Sequence, residues 1–255
     1  MNKLIKYVMI DLLRSKIVFG YTLFLLAVSF GLFSLEDNSS KGLLSLLNIV
    51  LIIVPLISII FSTIYVYNSA EFIELLVSQP IKRTTLLSSI YSGITASLML
   101  AVLVGIGLPV MIYDHSAVGV SLLLAALILT AVFAGLAILA SVITRDKARG
   151  IGLSILLWFY FAIIFDAFIL FILFQFSDYP LEKLSIALTA LNPIDLSRIF
   201  VLLKMDIAAM MGYTGAVFQQ FFEGVYGYLF ILGVSFFWMI LPIALAIKKF
   251  NRKDL

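Results

Sequence analysis

The chain has no cysteine and a single histidine among its 255 residues. Disulfides, thiolate ligands and a thiol nucleophile are therefore excluded, and the redox compartment cannot be argued from cysteine usage. His115 cannot form an HExxH-type metal site, which needs two histidines on one helix face. No Gly-Lys pair occurs anywhere, so the chain cannot cradle a nucleotide through a G-x-x-x-x-G-K-[ST] loop. Charge is scarce as well: Asp, Glu, Lys and Arg make up 12% of the chain, against roughly 25% in soluble domains. There is no low-complexity tract and no internal repeat.

What is there is apolar. With 63% hydrophobic residues and a mean hydropathy of +1.18, the sequence reads as an integral membrane protein. The runs at 17 to 35, 43 to 66, 86 to 112, 117 to 143, 150 to 176 and 225 to 247 each reach the ~20 residues a bilayer crossing needs. The expected fold is all-α, a single membrane domain over 1 to 255 with six transmembrane helices. Residues 1 to 16 place Ile5, Val8, Met9 and Leu12 on one stripe, with Lys3, Lys6, Arg14 and Lys16 around it. That is the pattern of a helix lying in the membrane interface. A cleavable signal peptide is the rival, with Ala27-Val28-Ser29 as a small-x-small site. The long charged leader and the continuing apolar run favour a retained span.

Six crossings put both termini on one side. The N-terminal segment, the 68 to 83 segment, the TRDKARG turn and the KKFNRK tail carry 4, 2, 3 and 4 Lys or Arg, which is 13 of the 17. The other side holds Lys41, Lys183, Arg198 and Lys204 among many acids. By the positive-inside rule both ends and the 68 to 83 segment are cytoplasmic.

That segment, NSAEFIELLVSQPIKR, predicts a short helix that is far too short to cross a bilayer. Asn68 is the expected N-cap with Glu71 as capping-box partner, and Pro80 ends the helix. Phe72, Ile73, Leu75 and Leu76 form an apolar ridge flanked by Glu71, Glu74, Lys82 and Arg83. Arg145 and Asp146 lie in a second charged turn on the same side. The fourth span carries Ala, Gly or Ser at eleven positions from Ala117 to Ser141, the composition of an inner helix approached closely by its neighbours. The fifth holds Asp166, whose carboxylate costs about 2.5 to 3.5 kcal/mol at mid-membrane and so faces a partner or cavity rather than lipid. Two readings stand: a transport-pathway residue, or a packing acid bonded to Tyr160 or to a neighbouring Ser or Thr.

Residues 177 to 224 read as an outer helical elaboration with amphipathic helices near 181 to 191 and 193 to 211. Asn192 caps the second, Pro193 takes its first position, and Asp195 stands three residues on. Asp195 and Arg198 are expected as a surface pair, or as part of a docking surface for an outer partner. Met205, Met210 and Met211 suit adaptable packing better than copper ligation. An intramembrane aspartyl protease would need two membrane carboxylates, and only Asp166 qualifies. The basic patches suit phospholipid headgroups rather than nucleic acid. No catalytic residue and no metal ligand is expected.

With these features the chain resembles the type-2 ABC exporter permeases. LLVSQPIKRTTLLSS (75 to 89), WFYFAIIFDAFIL (158 to 170) and LNPIDLSRI (191 to 199) are similar to NosY-like permeases, which serve copper-centre maturation of nitrous oxide reductase. The resemblance implies a homodimer in a bacterial inner membrane. It implies a NosF-like cytosolic ATPase dimer holding ATP and Mg, and a NosD-like periplasmic protein outside. It implies ATPase coupling through Glu71, Phe72, Glu74, Leu75, Gln79, Pro80, Arg83, Arg145 and Asp146. On the residue reading Asp166 is the transport-pathway candidate, and Asn192, Pro193, Asp195 and Arg198 are the outer-docking candidates. The short N-terminal outer loop, LEDNSSK, offers a partner little surface. A generic exporter of drugs, lipids or ions, and a membrane enzyme or scaffold, remain open, as does the cargo. A sulfur species is what the resemblance suggests.

Overall fold

The computed structural model describes residues 2–36, 38–176, 182–205 and 225–252. It is all-helical, with no strand among the described residues. Helix α1 (Asn2–Leu13) leads into α2 (Lys16–Leu35), α3 (Ser39–Asn68) and the short α4 (Ala70–Val77). Next come α5 (Arg83–Val102), a π-turn at Leu103–Gly107, α6 (Leu108–Tyr113) and α7 (Ala117–Ile143). A second π-turn at Tyr160–Ile164 joins α8 (Lys147–Phe159) to α9 (Phe165–Gln175). The described chain ends with α10 (Glu182–Ala190), α11 (Pro193–Leu202) and α12 (Val225–Asn251).

Six of these stretches are long and apolar enough to cross a membrane: α2, α3, α5 through α6, α7, α8 through α9, and most of α12. The expected span positions match, with the structure extending several by a few residues. The multi-pass membrane character of the chain rests on these six helices.

Helix α7 is the mast of the bundle. From Leu129 to Ile138 every residue is buried, and α3, α5, α8, α11 and α12 all pack against it. The small side chains read from the sequence let those backbones come close: Gly135 sits against Pro242 of α12 and Tyr91 of α5. Tyr91 adds a hydrogen bond from its hydroxyl to the Ala131 carbonyl at 3.1 Å. At the first π-turn, Gly105 allows Leu25 of α2 to rest where a Cβ would otherwise stand.

Helix α1 packs across α5, with Val8 and Leu12 buried and the Ser97 hydroxyl donating to the Met9 carbonyl at 3.2 Å. The stripe expected to face the interface is thus partly spent on protein contact. In α3 the ring of Pro55 removes a ladder donor and crowds the preceding turn. The Trp158 indole N–H donates to the Ile52 carbonyl in that turn at 3.1 Å.

Candidate functional site

Two places in the bundle gather the chain's polar groups, one at each end of α7. At its C-terminal end the connection from α3 to α4 meets the turn before α8. Helix α3 runs on through Asn68, so Ser69 is the break, and α4 begins without a side-chain cap. The expected cap at Asn68 is therefore corrected: its Oδ1 instead accepts from Lys147 Nζ at 2.8 Å. Beside it the Tyr67 hydroxyl is hydrogen-bonded to the Thr144 hydroxyl. Asp146 caps α8 by accepting from the Arg149 N–H at 2.9 Å. An added Cβ on Gly150 would run into the Tyr67 ring, so only glycine lets α8 approach α3 this closely. These contacts form a clasp that ties the end of α3, from which α4 continues, to the ends of α7 and α8.

Packing on α1 and on the core decides which face of α4 is free. Ile73 is buried, Leu76 and Val77 pack on the core, and Phe72 rests on Tyr7 of α1 with ring centroids 5.3 Å apart. The ridge expected to face outward is thus largely turned in, because those side chains close the gap between α1 and the bundle. What α4 leaves exposed is Ala70, Glu71, Glu74 and Leu75, the last 66% accessible, followed by Ser78, Gln79 and Pro80. Arg83 is half-buried and donates to the Phe250 carbonyl of α12 at 3.4 Å. Arg145 is exposed. Of the residues expected to act at this end, Glu71, Glu74, Leu75, Gln79, Pro80 and Arg145 present themselves. Phe72, Arg83 and Asp146 are held by contacts within the chain.

The second place lies toward the other end, where the fifth span, α7, α12 and the α10–α11 pair converge. Helices α10 and α11 meet at 113° and together are apolar enough for a broken span or re-entrant loop. The N-terminus of α11 forms as read from the sequence: Asn192 Oδ1 accepts from the Ile194 N–H at 3.0 Å, and Pro193 takes the first turn. Its setting is different. Asn192, Pro193, Asp195 and most of α11 are buried in the bundle, which corrects their reading as a surface helix with a docking face. The Lys204 ammonium stands 4.3 Å over the Tyr228 ring of α12. Asp206, Met210 and Met211, expected in the same elaboration, lie outside the described residues, as do residues 177–181.

Asn192 is the hinge pin. Its amide donates to the Phe161 carbonyl at 2.9 Å and to Asp195 Oδ2 at 2.8 Å. The Phe161 carbonyl is available because the π-turn sends the Phe165 N–H back five residues to Tyr160. One nitrogen of Arg198, Nη1, then bridges Asp195 Oδ1 at 2.9 Å and Asp166 Oδ2 at 3.0 Å. The membrane carboxylate of Asp166 is thus partnered by a cation 32 residues away. Among the described residues neither Tyr160 nor a hydroxyl serves it, so the expected packing partner is corrected there. Arg198 and Asp166 keep 35% and 28% of their side-chain surface, whereas Asp195 keeps 9%. Asp166 Oδ1 is buried without a hydrogen-bond partner among the described residues.

Aromatic rings wall the cluster. Phe161 meets Phe133 of α7, Tyr160 and Trp238 of α12 edge to face, and the Trp238 indole donates to the Ala190 carbonyl at 3.0 Å. A guanidinium between two carboxylates ties the fifth span to α11, with Asp195 the most buried of the three groups. Sequence reasoning found every polar member of the cluster but not its assembly. The π-turn that opens the Phe161 carbonyl left no signal in residue types. Compared with protein-family models and with curated proteins, the sequence matches none.

Proposed function

We propose that the chain is the membrane permease subunit of an ATP-driven exporter of the type-2 ABC class, NosY-like in its role. It would act as a pair of copies in a bacterial inner membrane, with both termini and α4 on the cytoplasmic side. A separate NosF-like ATPase would hydrolyse ATP, because this chain has no phosphate-cradling loop of its own.

The observation that carries the reading is the way α4 is mounted. A short helix with an exposed acidic, leucine-tipped face continues directly from the end of α3, which Asn68, Tyr67, Thr144 and Lys147 tie to α7 and α8. A push on Glu71, Glu74 and Leu75 would therefore move those three spans together rather than bend a loop. Leu75 would enter a groove of the ATPase, and the two glutamates would set orientation against its cations. At the far end the Arg198 bonds to Asp166 and Asp195 act as a latch between the fifth span and α11. Opening it would expose charged groups along the path of an outward-moving, anionic or hydrogen-bonding cargo. A sulfur species for the copper centre of nitrous oxide reductase has that chemistry, and with no cysteine in the chain copper itself is a poor cargo for tight binding here. With Asn192, Pro193 and Asp195 buried, a NosD-like partner would meet surfaces other than this segment.

Coexpression with the partner ATPase tests the reading. The triple change Glu71→Lys, Glu74→Lys, Leu75→Asp is expected to abolish ATPase copurification and coupled ATP hydrolysis while the chain still inserts. Undiminished copurification and hydrolysis would refute it.

A further inference from the structure

A cleft opens between the C-terminal ends of α7 and α12, beside the clasp and separate from the latch. Its volume is about 740 Å³, within the roughly 300–1,000 Å³ of small-molecule sites. All four of its charged lining residues are cations: Arg145 from the turn after α7, and Lys248, Lys249 and Arg252 from the end of α12. None of the four has a carboxylate within ion-pair distance among the described residues. Asp146, next to Arg145 in the chain, is committed to capping α8; Asp254, the acid nearest to Arg252 in sequence, lies outside the described residues.

Two helix C-termini point here, each worth about half a negative charge, so roughly one of the four cations is answered by backbone. Three remain without a carboxylate partner among the described residues. The rest of the lining is aliphatic and comes from the membrane-embedded parts of the same helices, with Ile143 and Leu245 both exposed and Leu139 deeper. The site therefore has a cationic mouth at the end of the bundle and an apolar wall running into the span. A soluble anion would use only the mouth. A molecule with a phosphate head and hydrocarbon tails would use both.

We infer that this cleft binds the headgroup of an anionic glycerophospholipid, with one acyl chain along Leu139, Ile143 and Leu245. Basic pockets between spanning helices at a membrane face take such headgroups, and each Lys or Arg near the surface adds a factor of about five in affinity. Arg145 also lines the smaller cleft under α4, together with Glu74 and Tyr67. A bound lipid would thus abut the clasp and stiffen the end of the bundle on which α4 is mounted.

The test is native mass spectrometry of the full chain released from mixed micelles of phosphatidylglycerol and phosphatidylcholine. The wild-type chain is expected to retain phosphatidylglycerol in clear preference. The single changes Arg145→Gln and Lys249→Gln each lower that retention about fivefold, and the four changes together lower it more than a hundredfold. Leu245→Trp fills the apolar wall, keeps every charge and is also expected to weaken retention, whereas millimolar inorganic phosphate does not displace the lipid. Equal retention of the two lipids, or unchanged retention in the single charge variants, overturns the proposal. Displacement by phosphate, with no effect of Leu245→Trp, would make it a free-anion site and overturn it as well. Displacement by an acidic cytosolic protein in place of lipid would reassign the cleft to protein docking and count against it too.

Discussion

Helix α7 and the span made by α8 and α9 are of similar length and apolarity, yet across an 18-residue apolar stretch of each, 78% of the first and 11% of the second is buried within the chain. The difference lies in side-chain size. In α7 alanine, glycine and serine recur, so other helices can dock on every side. The fifth span presents Phe168, Leu170, Phe171 and Phe174, the last 85% exposed, so lipid or a second copy is left to cover it. Hydropathy cannot tell the two apart because lipid is as apolar as leucine, and packing alone separates mast from rim. The rim nevertheless carries the membrane carboxylate Asp166, tied inward through Arg198.

Truncation breaks this comparison most directly. Phe133→Ala, at a fully buried site on α7, is expected to cost about 3–5 kcal/mol, whereas Phe174→Ala should stay within about 0.5 kcal/mol in the isolated chain. Unfolding in mild detergent measures both. If Phe174→Ala proved as costly, the fifth span would be a core element and the contrast false. The next largest effect sharpens how the rim is held: Asp195→Ala removes a buried acceptor from Arg198 and is expected to cost about 3 kcal/mol. The Asp166–Arg198 coupling in a double-mutant cycle should be smaller, about 1 kcal/mol, because both side chains are partly exposed. A coupling of zero would leave the latch without energetic content.

A smaller effect concerns the joint where the end of α3 meets α8. Gly150→Ala drives a methyl group into Tyr67 and is expected to destabilise by about 1–2 kcal/mol. Tyr67→Ala in the same chain should recover part of the loss, because the clash partner is gone. Additive costs in the double variant would place the strain elsewhere. Smallest of all, Leu75→Asp is expected to shift chain stability by less than about 0.5 kcal/mol, since that side chain touches little of its own protein.

Much of this frame was legible in the sequence. The six long helices follow from apolar length, the central place of α7 from its small residues, and the start of α11 from Asn192, Pro193 and Asp195. Two features were misjudged because a bilayer inverts familiar rules. Helix α11 bears charges at a density that suggests a wet surface. In the structure Asp195 and Arg198 pair with each other, and Arg198 with Asp166 of the fifth span, in a partly buried cluster. The ridge of α4 looked ready for a partner, but α1 folds back to within reach and takes Phe72. Both errors share a cause: an amphipathic pattern says that a face is covered, and tertiary structure decides by what. The uncapped start of α4 is a third, since α3 continues through the residue that would have capped it.

In the proposed exporter, energy enters at α4 from ATP, which is found in the cytoplasm. Because the chain has no cysteine, a single Gln79→Cys substitution provides the sole thiol, on the exposed stretch just past α4. A membrane-impermeant maleimide should label it only after the inner membrane is permeabilised. Labelling at full rate while that membrane is intact would put α4 on the side without ATP and contradict the claim.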